Sequence, residues 1–238
     1  MQSLKPFSFI IAAFLISLST VSINAQELVT EERDVNTFNR ISIAVSGDVF
    51  ITQGTGHGIV LEGSQRVLDD LITEVRGGQL TVRMPWRWNF RRNDELTVYI
   101  TVADLNELNL SGSAKVFVED LLEAENISFH ISGSGRVNID ELSANNLTTK
   151  VSGSGRLELG GSQKLESHEI TVSGSGRVES SSLPSSKVSV NISGSGRCYV
   201  NVISGLDVRI SGSGRVVYDG NPVVNSKISG SGRVTSAN

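Results

Sequence analysis

Six arginines recur at nearly constant intervals in the second half of the chain: Arg136, Arg156, Arg177, Arg197, Arg215 and Arg233. Each closes a copy of the same letters, Ile or Val followed by S-G-S-G-R. Guanidinium groups present paired donors that match carboxylate and phosphate oxygens. A spatial row of them would hold an anionic polymer such as an acidic glycan, a lipopolysaccharide or another cell-surface polymer. A second basic set, MPWRWNFRRND from Met84 to Asp94, mixes rings with charge: Trp86, Arg87, Trp88, Phe90, Arg91 and Arg92. Exposed, that loop would stack on sugars or press into a membrane surface. Buried, it would plug one end of the fold with its rings. The sequence leaves both readings open.

Other chemistries lack their residue sets. A phosphate-cradling loop needs a Lys with Ser or Thr and a helix whose N-terminus receives the phosphate, whereas SGSGRV runs into another extended segment. Calcium-binding rolls place Asp after their Gly-rich turns; here Ser or Arg stands there. His57, His130 and His168 are scattered, with Cys198 the single cysteine, so no zinc ligand set forms and each His reads as a polar strand residue. Asp140, Glu158 and Glu179 lie close to arginines of the row without building a dense carboxylate cluster. That places a carbohydrate-active enzyme second to a binding protein. No catalytic, metal or cofactor-binding residue is assigned, and no cofactor is expected.

The elements that would position the arginines follow from the repeat. Its first serines are Ser111, Ser132, Ser152, Ser173, Ser193, Ser211 and Ser229, spaced by 21, 20, 21, 20, 18 and 18 residues. The residue before each is aliphatic in all copies, and five residues after it come Val116, Val137, Leu157, Val178, Cys198, Val216 and Val234. Two further on stand Val118, Ile139, Leu159, Ser180, Val200, Tyr218 and Ser236, a second column that reads as buried. I-S-G-S-G-R-V-x-I alternates with period two, the mark of a strand, with aliphatics and glycines on one face and Ser, Ser and Arg on the other. A flexible linker would not keep β-branched neighbours at fixed offsets.

One such unit cannot bury its own apolar face, but stacked copies can. The expected fold is all-β: a parallel β-helix of 18–21-residue coils over residues 111–238, a rod of roughly 35 Å at ~4.8 Å per coil. Right-handed coiling is favoured, because intervals of 18, 20 and 21 do not keep a hexapeptide register. Like charges stacked one per coil repel by about 0.8 kcal/mol per neighbouring pair in water. Two explanations would offset that: neighbouring carboxylates, paired across coils, or an anionic ligand. The 12 basic and 12 acidic residues from 111 to 238 favour the first.

Residues 26–110 read as a strand-rich, irregular lead-in continuous with the helix. AVSGDVFI, Ala44–Ile51, looks like a shortened motif with Asp48 at the second Ser, opening the same stack. VLDDLITEVRGGQLTVRM reads as a hairpin turning at Gly77-Gly78, and ELTVYITV, Glu95–Val102, as the next strand. The opening MQSLKPFSFIIAAFLISLSTVSINAQ has the plan of a secretory signal peptide, residues 1–25, cleaved after Ala25. Its apolar run is too short to span a bilayer, so no transmembrane anchor is expected after cleavage. Of 21 basic and 25 acidic residues only Lys5 precedes that point, leaving a net charge of −5. That argues against nucleic acid as a partner. With one cysteine there is no intramolecular disulfide, so packing must supply the stability.

The F-x-x-I-x-I-x-V-S-G-D-V-F-I-x-Q-G stretch at Phe38–Gly54, G-G-Q-L-T-V at Gly77–Val82 and the serial SGSG copies together resemble the putative autotransporter adhesin head domain family, over about residues 36–233. These are secreted or envelope β proteins of Gram-negative bacteria, common in Bacteroidetes, and long described as a domain of unknown function. The resemblance implies a non-enzymatic β-helical protein in the periplasm, on the outer surface or secreted, acting in cell adhesion or envelope interactions. It carries no catalytic residues onto this chain. No barrel-forming segment appears in the sequence, so a head-like module is implied rather than a self-exporting one. A purely structural periplasmic protein is the remaining reading. Five residues follow the last motif, and an open final coil would invite homo-oligomer formation end to end.

Overall fold

The computed structural model of the chain describes residues 28–89 and 94–237. The expected signal peptide, 1–25, lies outside the described residues, as do Phe90, Arg91 and Arg92. The lead-in holds β1 (Leu28–Arg33), β2 (Arg40–Ala44), β3 (Asp48–Gln53), β4 (Gly58–Ser64), α1 (Gln65–Asp70), β5 (Ile72–Arg76), β6 (Gln79–Arg83), β7 (Leu96–Val102) and β8 (Glu107–Gly112). The repeats hold β9 (Lys115–Gly133), β10 (Arg136–Gly153), β11 (Arg156–Gly160), β12 (Leu165–Gly174), β13 (Arg177–Gly194), β14 (Arg197–Gly212), β15 (Arg215–Asp219), β16 (Val223–Gly230) and β17 (Arg233–Ser236).

From β8 onward every pairing is parallel and joins one coil to the next, which makes the fold a β-solenoid. The register follows the repeat letter for letter: Ser111, Ser132, Ser152, Ser173, Ser193, Ser211 and Ser229 form one continuous ladder. Inside, Val116, Val137, Leu157, Val178, Cys198 and Val216 stack as another, each at most 1% exposed. Burying one such side chain contributes about 1.5–3 kcal/mol, which is how unbridged coils hold together. The second column is buried down to Val200, where Ser180 keeps its hydroxyl satisfied by donating to the Tyr199 carbonyl at 3.1 Å.

The two glycines of each motif do different work, which corrects the expectation that both face inward. Gly133, the first of its copy, is exposed at the corner with φ +114°, and an added Cβ would lie 2.8 Å from the Gly112 carbonyl oxygen of the coil before it. Only the second, Gly135, is buried. Alternation predicts otherwise because it assumes an unbroken strand, and positive φ at the corner breaks it. At Gly135 a Cβ would come within 2.6 Å of Leu110 Cδ2; at Gly155 the neighbour is Ile131 Cγ2 at 2.5 Å. The aliphatic residue that opens one motif therefore seats in the hollow left by the second glycine of the next.

In the lead-in, β2 lies parallel between β6 and β8, and β3 parallel between β7 and β9, while β4 joins β1 and β7 antiparallel. The β5–β6 hairpin turns at Gly77 and Gly78, φ +55° and +76°, as its sequence predicts. Residues 65–70 are helical instead of extended; one turn and a half is too short to show a 3.6-residue period. Arg33 stops that helix by donating to the Leu68 and Leu71 carbonyls at 2.7 and 2.6 Å. The pairing of Ile43 with Leu110 and of Asp48 with Lys115 puts Asp48 in the arginine column, not at the second Ser. The letters S-G-D invite the wrong alignment by two residues.

Candidate functional site

The corner that carries SGSGR presents its side chains and keeps its backbone to itself. Ser154 N donates to the Gly133 carbonyl at 2.9 Å and Arg156 N to that of Gly135 at 3.0 Å; Ser175, Arg177, Ser195 and Arg197 repeat the pattern at 2.8–3.0 Å. Amides already bonded to the neighbouring coil cannot cradle a phosphate. What remains facing solvent is a column of Ser hydroxyls beside a column of guanidinium groups.

That column is continuous. Asp48, Lys115, Arg136, Arg156, Arg177, Arg197, Arg215 and Arg233 pair rung by rung, so all six predicted arginines come together, ~4.8 Å apart. Neutralisation is partial. Lys115 Nζ meets Asp48 Oδ1 at 3.8 Å, Arg156 meets Glu158 at 3.4 Å, and Arg177 meets Glu179 at 3.9 Å. These arginine pairs run within a coil, between residues two apart on the same face, and not across coils as the charge count suggested. The residue two on is Asn138 in the Arg136 coil, then Tyr199, Val217 and Thr235 in the last three. Among the described residues Arg136, Arg197, Arg215 and Arg233 accordingly have no ion-pair partner. Arg177 also stands 5.2 Å over the Tyr199 ring.

The hydroxyls of Ser154, Ser175 and Ser195 and the guanidinium groups of Arg156, Arg177 and Arg197 line an open groove of about 340 Å3. A second groove, of about 380 Å3, holds Asp140, Glu158 and Glu179 with Ser181 and Ser182. Among the described residues no group of three or more His, Cys, Asp or Glu side chains could hold a metal ion.

The aromatic loop is divided. Trp86 is 96% exposed and Arg87 is exposed, whereas Trp88 packs on the core under the Arg66 guanidinium, 4.2 Å from the ring centroid. Arg66 in turn pairs with Asp94 at 2.5 Å. Further along the chain, Thr97 of β7 adjoins Asp48 at the acidic end of the row.

The histidines serve structure. His168 is not a surface strand residue: it is 1% exposed in the interior ladder between Leu147 and Val188, with Nε2 3.0 Å from Thr149 Oγ1. Burial pushes its pKa down to about 3, so it is neutral. Burial likewise pushes the Cys198 thiol up to about 12, leaving it unreactive. His57 meets the edge of Phe38, with centroids 5.0 Å apart, and His130 lies 4.0 Å from Glu107. Nothing in the spacing of His168 marks it as buried; its place in the inward column does.

With the corner row in view, the relatives can be compared. Residues 37–222 match the family described as "Putative auto-transporter adhesin, head GIN domain". The chain belongs to that family. The match takes in Arg136 to Arg215 and leaves Arg233 beyond it. A putative adhesin from Bacteroides fragilis is similar in structure, with a TM-score of 0.82 at 23% identity over 89% of this chain and 97% of that one. A putative lipid binding protein from Parabacteroides distasonis gives 0.74 at 23% identity, covering 90% and 98%. A putative adhesin from Parabacteroides merdae gives 0.72 at 18% identity, also covering 90% and 98%. At these identities the likeness is one of fold. No curated protein matches the chain. Among the described residues of this family member no helix is long and apolar enough to cross a membrane.

Proposed function

We propose that the chain is an exported, non-enzymatic adhesin-like module that works at the cell envelope by presenting its SGSGR corner to a surface polymer. One observation carries this reading: the corner row is built with more cation than its surroundings neutralise. Seven cationic side chains, Lys115 and the six arginines, meet three carboxylates, Asp48, Glu158 and Glu179. Unpaired like charges held in register by a sheet cost energy in the free protein, and an anionic partner removes that cost. Membership of the adhesin head family agrees with the reading.

The groove at Asp140, Glu158 and Glu179 is the feature a carbohydrate-active enzyme would use, so the test separates binding from turnover. Purified protein is incubated with bacterial envelope fractions and with a panel of surface polysaccharides, and both retention and released oligosaccharides are measured. Retention without cleavage products is expected. Cleavage products would overturn the non-enzymatic reading, and absence of retention on every fraction would overturn the surface module itself.

A further inference from the structure

We infer that the SGSGR corner binds a linear polyanionic glycan laid along the solenoid axis, one uronate carboxylate to each coil. The inference rests on the surface-module reading and specifies its ligand. Three features of the corner select this chemistry. First, the arginines are in register, so their spacing is that of the coils, ~4.8 Å, a distance close to the length of one pyranose residue in an extended glycan. A chain carrying one carboxylate per sugar therefore matches the rungs in rise, and meets one guanidinium per rung when its glycosidic torsions turn successive carboxylates toward the corner.

Second, the groove pairs each charged donor with a neutral one. Ser154 with Arg156, Ser175 with Arg177 and Ser195 with Arg197 line the same open channel. The guanidinium takes a carboxylate by two parallel hydrogen bonds, and the hydroxyl, both donor and acceptor, suits a sugar hydroxyl beside it. The corner amides are spent on the neighbouring coil, so recognition falls to these side chains.

Third, the row has ends and a graded occupancy. Asp48 closes it at Lys115, and Glu158 and Glu179 sit on Arg156 and Arg177 as internal competitors. Arg197, Arg215 and Arg233 form three consecutive rungs without a carboxylate, the strongest anion-binding stretch. Six arginines span five intervals, about 24 Å, which sets the longest glycan that gains contacts by growing.

The experiment measures binding of size-defined oligogalacturonates, from dimer to octamer, to the full chain by calorimetry. Affinity should rise with length to about six units and then level, and should weaken with salt. The double substitution Arg177→Gln/Arg197→Gln should lower hexamer affinity at least tenfold. Lys164→Gln/Lys187→Gln changes the net charge equally at exposed positions away from the row and should change affinity less than twofold. Glu158→Gln/Glu179→Gln, which frees two arginines, should raise it several-fold. Equal losses in the Arg and Lys doubles, or affinity independent of length, would overturn the inference. Polyphosphate of matched charge is the other arm: tighter binding of polyphosphate than of oligogalacturonate would overturn the uronate assignment. Envelope retention that persists unchanged in Arg177→Gln/Arg197→Gln would remove the corner as the binding surface from both readings, whereas retention lost in that variant with no binding of oligogalacturonate would sink the uronate inference alone and leave the surface module intact.

Discussion

If the aliphatic residue of one motif seats in the hollow above the second glycine of the next, filling the hollow and trimming the residue must compensate. In Gly155→Ala the new Cβ lies 3.2 Å from the Gly135 carbonyl oxygen and 2.5 Å from Ile131 Cγ2, the latter at least about 1 Å inside the ~3.5–4.0 Å of carbon contact. Overpacking of that kind costs about 1–3 kcal/mol. Ile131→Ala alone, at a site 2% exposed, should cost about 2–5 kcal/mol. Together the two should cost about 1–2 kcal/mol less than their sum, within the usual range for residues in contact. Gly133→Ala is the contrast: its Cβ meets the Gly112 backbone at 2.8 Å with φ at +114°, and no side-chain truncation can relieve it. Urea unfolding followed by circular dichroism gives the four free energies of the cycle. Hydrogen exchange then localises the effect to the coils around 131 and 155. Additivity within about 0.3 kcal/mol, or equal rescue of Gly133→Ala by Ile131→Ala, would refute the seating.

Four further outcomes are expected. Because burial holds His168 neutral in the fold, with its pKa at about 3, the unfolded chain binds the extra proton first. Stability should be complete above about pH 6.5 and fall by about 1.4 kcal/mol per unit toward pH 3; denaturation curves of His168→Leu/Thr149→Val should lack that component, and an identical slope would remove His168 as the cause. The Cys198 thiol should resist maleimide at pH 8 in the folded protein and react on unfolding, as mass spectrometry would reveal; rapid native labelling contradicts its burial. Trp86→Phe should remove the red-shifted, acrylamide-quenched part of the tryptophan emission and leave the blue-shifted part from Trp88. On the final coil, Val223 and Ile228 are 72% and 40% exposed, so sedimentation at high concentration should detect end-to-end dimers, and a monomeric mass throughout would dismiss them.

Register was legible where the repeat fixes it. Once the serines are aligned, the ladder from Ser111 to Ser229 and the buried columns around Val137 and Ile139 follow, because coils that stack must keep identical offsets. Corners were less legible. Gly133 and Gly135 are the same letter, yet positive φ turns one outward while packing against Leu110 demands the other. Asp48 slipped by two positions for a related reason: short motifs align by letters, whereas coils align by the residue count from Ile43. For the candidate site, the six arginines came from spacing alone. Glu158 and Glu179 were legible as their neighbours, but as partners across coils; reading Arg156-x-Glu158 and Arg177-x-Glu179 as same-face neighbours would have given the direction of both pairs, and Cys198-Tyr199 and Val216-Val217 would have revealed where pairing stops.

The seating of Ile131 over Gly155 also bears on how such a chain can change through evolution. Each coil offers a knob to the one that follows and a socket to the one before, and repeat arrays of this kind interact only with their neighbours. A duplicated segment running from one motif to the next brings both halves of the joint with it, so it can be inserted or lost without redesigning either flank. Every such event adds or removes one arginine in step. The reach of the molecule is thus adjustable in whole coils by recombination, while the chemistry of each rung stays as it was.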